Sequence, residues 1–228
     1  MSMSGLELRV NEVFTSRQGE GPSAGKEATF VRLHKCNLRC VFCDTERALV
    51  GEPNMVVTIK QALTMIATSW MSVYGASVNK RLIVTGGEPL LQRLAVVEVA
   101  KALRPEWDVE VETNGTIFPE GLEDCQINCS PKLSNAGMRP GARIVPAVLV
   151  GIAELPQSIF KFVVNDLDRV KEVEGLVKKV GIGADRIMLM PEGADVETLE
   201  QRSPQVKKWA NERGWGFSSR LHILGNYR

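Results

Sequence analysis

The sequence predicts an α/β fold built on a parallel sheet. Short β-branched runs alternate with helical patterns along 228 residues. No internal repeat or low-complexity segment interrupts them. Alternation of this kind selects parallel strands joined by right-handed crossovers. The length suits one substantial core, so a single domain over residues 1–228 is expected.

Predicted strands fall at 8–14, 29–33, 81–85, 109–112, 126–129, 159–164 and 187–190, with a last one near 221–224. Helical patterns cover 58–74, 90–103, 166–180 and 204–213. In the first helix Ile59, Leu63, Ile66, Trp70 and Val73 step by three or four and form a buried face. Thr58 and Gln61 offer a capping box at its start. Residues 61–79 carry no charge, but their Gln, Asn, Thr and Ser content fits an amphipathic helix rather than a membrane span. The third helix has Asn165 as its cap, Val170, Val173, Val177 and Val180 on one face, and Gly181 at its end. Ser203 and Pro204 read as the cap and first residue of the fourth. Residues 134–156 contain three prolines with weak periodicity and read as an irregular insertion.

Charged residues make up 24% of the chain and hydrophobic ones 44%, which fits a soluble globular protein. A net charge of +1 gives no reason to expect a nucleic-acid or membrane partner. The opening MSMSGLELRV shows no targeting pattern. Five cysteines, three of them within eight residues, make a poor disulfide framework and suggest a cytoplasmic protein with a metal or redox site.

The chemistry concentrates after the strand TFVRL, where HKCNLRCVFCDT places Cys36, Cys40 and Cys43 as C-x3-C-x2-C. Three thiolates on one loop can wrap three corners of a metal centre. A structural zinc site wants a fourth ligand, for which His34, Cys125 or Cys129 are candidates. A four-iron cluster can use three cysteines and leave one iron open. This spacing, with Phe42 before the third cysteine, resembles the cluster loop of radical S-adenosylmethionine enzymes. In that superfamily the open iron is chelated by S-adenosylmethionine, and an electron from the cluster releases a 5′-deoxyadenosyl radical. A second mark of the superfamily follows the strand RLIVT as GGEP, residues 86–89. The resemblance implies that Gly87 and Glu88 help hold the methionine end. Two later strands end in polar groups, ETNG at 112–115 and SPK at 130–132. Cys125 and Cys129 read as ordinary buried residues.

The stretch SRQGEGPSAGKE at 16–27 has the composition of a phosphate loop but not its spacing. Three residues separate Gly21 from Gly25 and five separate Gly19 from Gly25, where the motif needs four. Glu27 follows the lysine and would repel a phosphate.

Taken in order, QGEGP, FVRL, the loop ending CDT, TGGEP, ETNGT, SPK and a histidine near the carboxyl end resemble the 7-carboxy-7-deazaguanine synthase (QueE) family. The resemblance implies an incomplete or modified (β/α) barrel. It implies a radical lyase that converts 6-carboxy-5,6,7,8-tetrahydropterin to 7-carboxy-7-deazaguanine with loss of ammonia, on the way to queuosine-type bases. It further implies a [4Fe-4S] cluster on Cys36, Cys40 and Cys43, S-adenosylmethionine, and Mg²⁺. A homodimer and an electron donor such as flavodoxin or ferredoxin are also expected.

The residues suit a pterin. Arg17, Gln18, Gly19 and Glu20 can read its ring edge, and Arg32 can fork onto its carboxylate. Thr85 should face the same cavity, and Thr45 supplies a hard oxygen for Mg²⁺. The resemblance places Phe42, Asp44, Gly87, Ser130, Pro131 and Lys132 near S-adenosylmethionine. It places Glu112, His222 and the terminal carboxylate of Arg228 near the substrate. Two rivals explain less. A radical activase acting on a protein would share the cysteines but not QGEGP or Thr45. A zinc-binding interaction module leaves TGGEP, ETNG and SPK without a purpose.

Overall fold

The computed structural model describes residues 5–45, 50–76 and 79–227. Arg228, a predicted substrate contact, lies outside the described residues.

The chain opens with strand β1 (Glu7–Arg17), which turns back through the 18–26 loop into β2 (Glu27–Leu33). After the cysteine loop come β3 (Met55–Thr58) and helix α1 (Ile59–Tyr74). Next follow β4 (Lys80–Gly86), α2 (Arg93–Leu103), β5 (Trp107–Thr113) and β6 (Gln126–Cys129). Short helices α3 (Pro140–Arg143) and α4 (Pro146–Glu154) lead to β7 (Ser158–Val164) and α5 (Leu167–Val180). The chain continues with β8 (Ile187–Pro191), α6 (Val196–Asn211), β9 (Gly216–Phe217) and α7 (Leu221–Leu224).

Among the described residues nine strands form one sheet in the order β3-β1-β2-β4-β5-β6-β7-β8-β9. From β2 onward every neighbouring pair is parallel, whereas β1 runs antiparallel to both β2 and β3. Among the described residues the ends of the row do not pair with each other, so the sheet is an open, modified barrel rather than a closed one.

Strand alternation decides which residues reach the site. One face carries Val31, Leu33, Leu82, Val84, Val109, Val111, Ile127, Phe160, Phe162 and Leu189, all buried in the main core. The opposite face carries Phe30, Arg32, Ile83, Thr85, Glu112, Lys161 and Val163, all lining one cavity. A period of two sends each class to its own side. On the core side Trp70 is fully buried and meets Trp107 edge-on at 5.5 Å.

The structure bears out the capping box at Thr58 and the Gly181 end of α5. In α1, Ile59, Ile66 and Trp70 are buried, but Val73 is 54% exposed because the apolar stripe has rotated outward by the last turn. Several sequence expectations are corrected. Residues 221–224 form a one-turn helix, not a strand; the last strand is the short β9. Helix α6 starts eight residues before Pro204, because Asp195 caps it by accepting the backbone N–H and the hydroxyl of Thr198, both at 2.8 Å. Pro204 therefore lies inside the helix. Asp166, not Asn165, caps α5, accepting from the Arg169 N–H at 2.9 Å. The prolines at 140 and 146 open α3 and α4 rather than keeping that stretch irregular. Strand β3 was not expected, although three of its four residues are β-branched.

Candidate active site

The cavity lies on the polar face of the sheet and measures about 890 Å³. That is toward the upper end of small-molecule sites, about 300–1,000 Å³. Two loops from opposite ends of the strands close on it.

The first is the 18–26 loop. It leaves from the amino-terminal end of β2 and folds inward under the strands. Two backbone bonds close its neck, Gln18 N–H to Lys26 O (2.8 Å) and Gly25 N–H to Gln18 O (2.7 Å). Gly21 and Gly25 have φ of 69° and 85°, which favours glycine there. Gln18 is buried; its Oε1 accepts the Gly19 N–H at 2.8 Å and its Nε2 donates to Glu112 at 3.2 Å. Ser23 donates to the buried Glu110 at 2.8 Å. Gly19 has no room for a side chain, because a Cβ would meet the His222 ring. The carboxyl-terminal segment secures the same loop: Leu221 N–H donates to Gly19 O (2.9 Å) and Gly21 N–H to the Ser218 hydroxyl (2.9 Å).

Buried charge fixes the side chains of this wall. Lys161 Nζ lies 2.6 Å from Glu20 and 3.2 Å from Glu112. Arg220 Nε donates to Glu20 at 3.1 Å, and its Nη2 reaches Asp44. Burial pushes the Glu20 carboxyl up, but the Lys161 and Arg220 charges overcome it and hold it well below the usual range. Burial holds His222 below the ordinary histidine value, so its imidazole is neutral at pH 7. Arg32 lines the cavity with its Nε 2.5 Å from Glu12 and its guanidinium 5.8 Å from the Phe14 ring centre.

The second loop follows β2 at its carboxyl end and carries Cys36, Cys40 and Cys43. All three line the cavity, are partly exposed and form no disulfide. Burial raises the thiol pKa of Cys36 and Cys40. Among the described residues no three Cys, His, Asp or Glu side chains are drawn together at metal-holding range. Its backbone is held by Leu38 N–H to Cys36 Sγ (3.4 Å), Cys43 N–H to Cys40 O (3.2 Å), Val41 N–H to Ala136 O (3.2 Å) and Arg39 N–H to Met138 Sδ (3.3 Å), and the Arg39 guanidinium donates to Cys36 O (2.6 Å) and Leu38 O (2.8 Å). Phe42, Asp44 and Thr45 also line the cavity, with the Thr45 hydroxyl on Asp44 at 2.9 Å. His34 is buried against Asn11 and the Gly51 carbonyl and is not among the lining residues. Cys125 and Cys129 are buried, with Cys125 pushed up to about 11 by desolvation.

Gly86 and Gly87 pack directly on the cysteine loop's root. A Cβ on Gly86 would lie 2.3 Å from Leu33 O, and one on Gly87 2.1 Å from Lys35 O. Thr85, Gly87, Ser130 and Lys132 line the cavity, and Lys132 Nζ donates to the Ser130 hydroxyl at 2.9 Å. Glu88 and Pro131 are buried beside these residues rather than lining the cavity. The Glu88 carboxylate accepts from Leu90 N–H (3.0 Å), Thr113 hydroxyl (2.8 Å) and Asn114 N–H (2.7 Å), tying the GGEP turn to the end of β5.

One family profile, the Radical SAM superfamily, matches residues 31–202. A 7-carboxy-7-deazaguanine synthase of Pyrobaculum aerophilum is 38% identical over 97% of this chain and 96% of its own. One of Rhodopirellula baltica is 34% identical over 97% of this chain and 88% of its own. This chain belongs to the 7-carboxy-7-deazaguanine synthase family of radical SAM enzymes. The fold agrees: the crystal structure of QueE from Escherichia coli superposes with a TM-score of 0.75 at 21% identity, over 96% of both chains. Streptococcus suis SuiB bound to S-adenosylmethionine gives 0.57 at 14% identity, over 83% of this chain and 50% of its own.

Membership in the radical SAM superfamily implies a four-iron cluster and S-adenosylmethionine. The donor set fits: three soft thiols share one loop and one cavity, with glycine backbone at Gly87 and polar groups at Ser130 and Lys132 around them.

Sequence reasoning missed Lys161 and Arg220. Lys161 had a signal, a single charge in the apolar strand SIFKFVV, in phase with Ile159 and Val163. Arg220 sits just before a one-turn helix and has no periodicity to betray it.

Proposed function

We propose that the chain contracts the ring of 6-carboxy-5,6,7,8-tetrahydropterin to 7-carboxy-7-deazaguanine with loss of ammonia. The observation that carries this is a wall of fixed hydrogen-bonding groups, Gln18, Glu20, Glu112 and Lys161, facing the cysteine loop across one cavity. A pterin edge is an array of donors and acceptors, and such an array needs partners fixed in advance.

Cys36, Cys40 and Cys43 would hold the cluster. Phe42, Asp44, Gly87, Ser130 and Lys132 would surround S-adenosylmethionine, with Glu88 and Pro131 shaping that side from behind. Bound together, the two cofactors supply a radical able to remove the hydrogen at substrate carbon 6. Arg32 would take the substrate carboxylate. Arg17, Gln18, Gly19, Glu20 and Glu112 would hold the ring, and Thr85 would bound it. Neutral His222, pressed on Gly19, can accept or return a hydrogen bond at the ring without adding charge. Thr45, with Asp44 beside it, would offer hard oxygens to Mg²⁺. Flavodoxin or ferredoxin as electron donor, a homodimer and a cytoplasmic location complete the reading, on family resemblance. No helix among the described residues is long and apolar enough to cross a membrane.

Anaerobic reconstitution with iron and sulfide should give a brown protein. With reductant, Mg²⁺, S-adenosylmethionine and the pterin it should release 7-carboxy-7-deazaguanine and regenerate S-adenosylmethionine. A colourless protein holding stoichiometric zinc, or cluster-loaded enzyme that makes no deazaguanine, contradicts the proposal.

A further inference from the structure

Lys161 is a fully buried cation in the middle of an apolar strand, and no family motif quoted above contains it. Its position follows from strand alternation, since Phe160 and Phe162 turn into the core and Lys161 turns to the cavity. Burying an ammonium is costly unless carboxylates compensate it. Here two do, Glu20 at 2.6 Å and Glu112 at 3.2 Å, arriving from the 18–26 loop and from β5. An ammonium has three N–H groups. Among the described residues only these two acceptors are met, and Lys161 lines the cavity, so one N–H remains to meet a ligand.

The result is an acceptor–donor–acceptor row. Both carboxylates are held from behind as well: Arg220 donates to Glu20, while Gln18 Nε2 (3.2 Å) and Asn128 Nδ2 (3.1 Å) donate to Glu112 Oε1. Each keeps lone pairs that the cavity can use. A 2-amino-4-oxo ring edge presents two neighbouring N–H donors and a carbonyl acceptor, which complements a carboxylate beside an ammonium.

Resting on the function proposed above, we propose that Lys161 is the specificity-setting positioning residue: it keeps Glu20 and Glu112 as paired acceptors and donates to the ring's 4-oxo group, so the site selects rings carrying a 2-amino group. A site built to pair with a polar group strongly rejects the analogue lacking it. The charged and titratable groups around Lys161 are Glu20 and Arg220 on one side, Glu112 and Glu110 on the other, with His222 and Asp44 beyond Arg220. Without the lysine charge, burial would favour proton uptake by Glu20.

The test uses reconstituted, S-adenosylmethionine-bound full chain and two probes, 7-carboxy-7-deazaguanine and its analogue lacking the 2-amino group. Wild type should prefer the amino-bearing probe by at least about tenfold, with binding flat between pH 8 and 6. Lys161→Met should cut that preference to about threefold or less and make binding weaken as the pH falls through the same range. Lys161→Arg should recover part of the preference. S-adenosylmethionine affinity should stay unchanged in both variants. Should Lys161→Met fail to fold, Glu112→Gln serves instead, with the same collapse of preference expected. A folded Lys161→Met, or a folded Glu112→Gln, that keeps the full preference overturns the inference and leaves the proposed function standing. Wild type that binds S-adenosylmethionine but neither probe overturns the proposed function itself.

Discussion

The two loops that close the cavity are built differently. The 18–26 loop is fixed by a closed backbone neck, a buried glutamine, a serine on Glu110 and two salt links to Lys161 and Arg220. The cysteine loop has half-exposed thiols, Val41 74% exposed at its centre, and side-chain bonds that run mainly through Asn37 and Arg39 rather than through the thiols. One wall is organised by the fold. The other has its ligand atoms in place along the chain but leaves much of its organisation to the metal, as metal sites commonly do. The difference also separates roles, since ring recognition needs fixed partners and cluster assembly needs access.

Substitutions can break or sharpen this contrast. The largest effect belongs to the cysteine loop: Cys40→Ala should abolish turnover while leaving the urea midpoint of the cluster-free chain unchanged. A clear fall in that midpoint would show that the loop stabilises the fold by itself. On the other wall Glu20→Gln should cost about 3–5 kcal/mol in urea unfolding, as breaking a buried charge network does. Its pH dependence has a definite sign. The folded-state pKa of Glu20 lies below its ordinary 4.5, so its contribution is present above that value and is lost as the pH falls below it. Wild-type stability should therefore drop below about pH 4.5 more steeply than that of Glu20→Gln.

Gly86→Ala strikes the seam between β4 and the root of the cysteine loop. With φ of 143° and a Cβ 2.3 Å from Leu33 O, the substitution should cost about 1–3 kcal/mol and impair cluster loading. Arg32→Ala should raise KM about tenfold with little change in kcat, measurable by steady-state turnover. The smallest effect is expected at Asn37, which bonds Thr116 (2.8 Å) and Asn114 (2.9 Å) from an exposed position. Asn37→Ala should cost at most about 1 kcal/mol in the same unfolding assay.

The contrast also explains what the sequence made legible. Cys36, Cys40 and Cys43 stand in one local run, and their spacing is visible without any fold. The strands at 81–85 and 159–164 stood out because runs rich in Ile, Val and Thr need no context. Lys161 and Arg220 matter through partners 141 and 200 residues away at Glu20, and no local pattern carries such a pairing. Glu88 shows the converse: its motif was visible, yet its carboxylate is spent on Thr113, Asn114 and Leu90. The carboxyl-terminal helix was misread because four residues with three apolar side chains fit either period.

The central claim, one wall built by the fold and one by the metal, is tested most directly by amide hydrogen exchange with and without the cluster. Anaerobic reconstitution should slow exchange across residues 36–45 and leave residues 18–26 as protected as before. Equal gains in both loops, or protection of 36–45 already complete without iron, would contradict it.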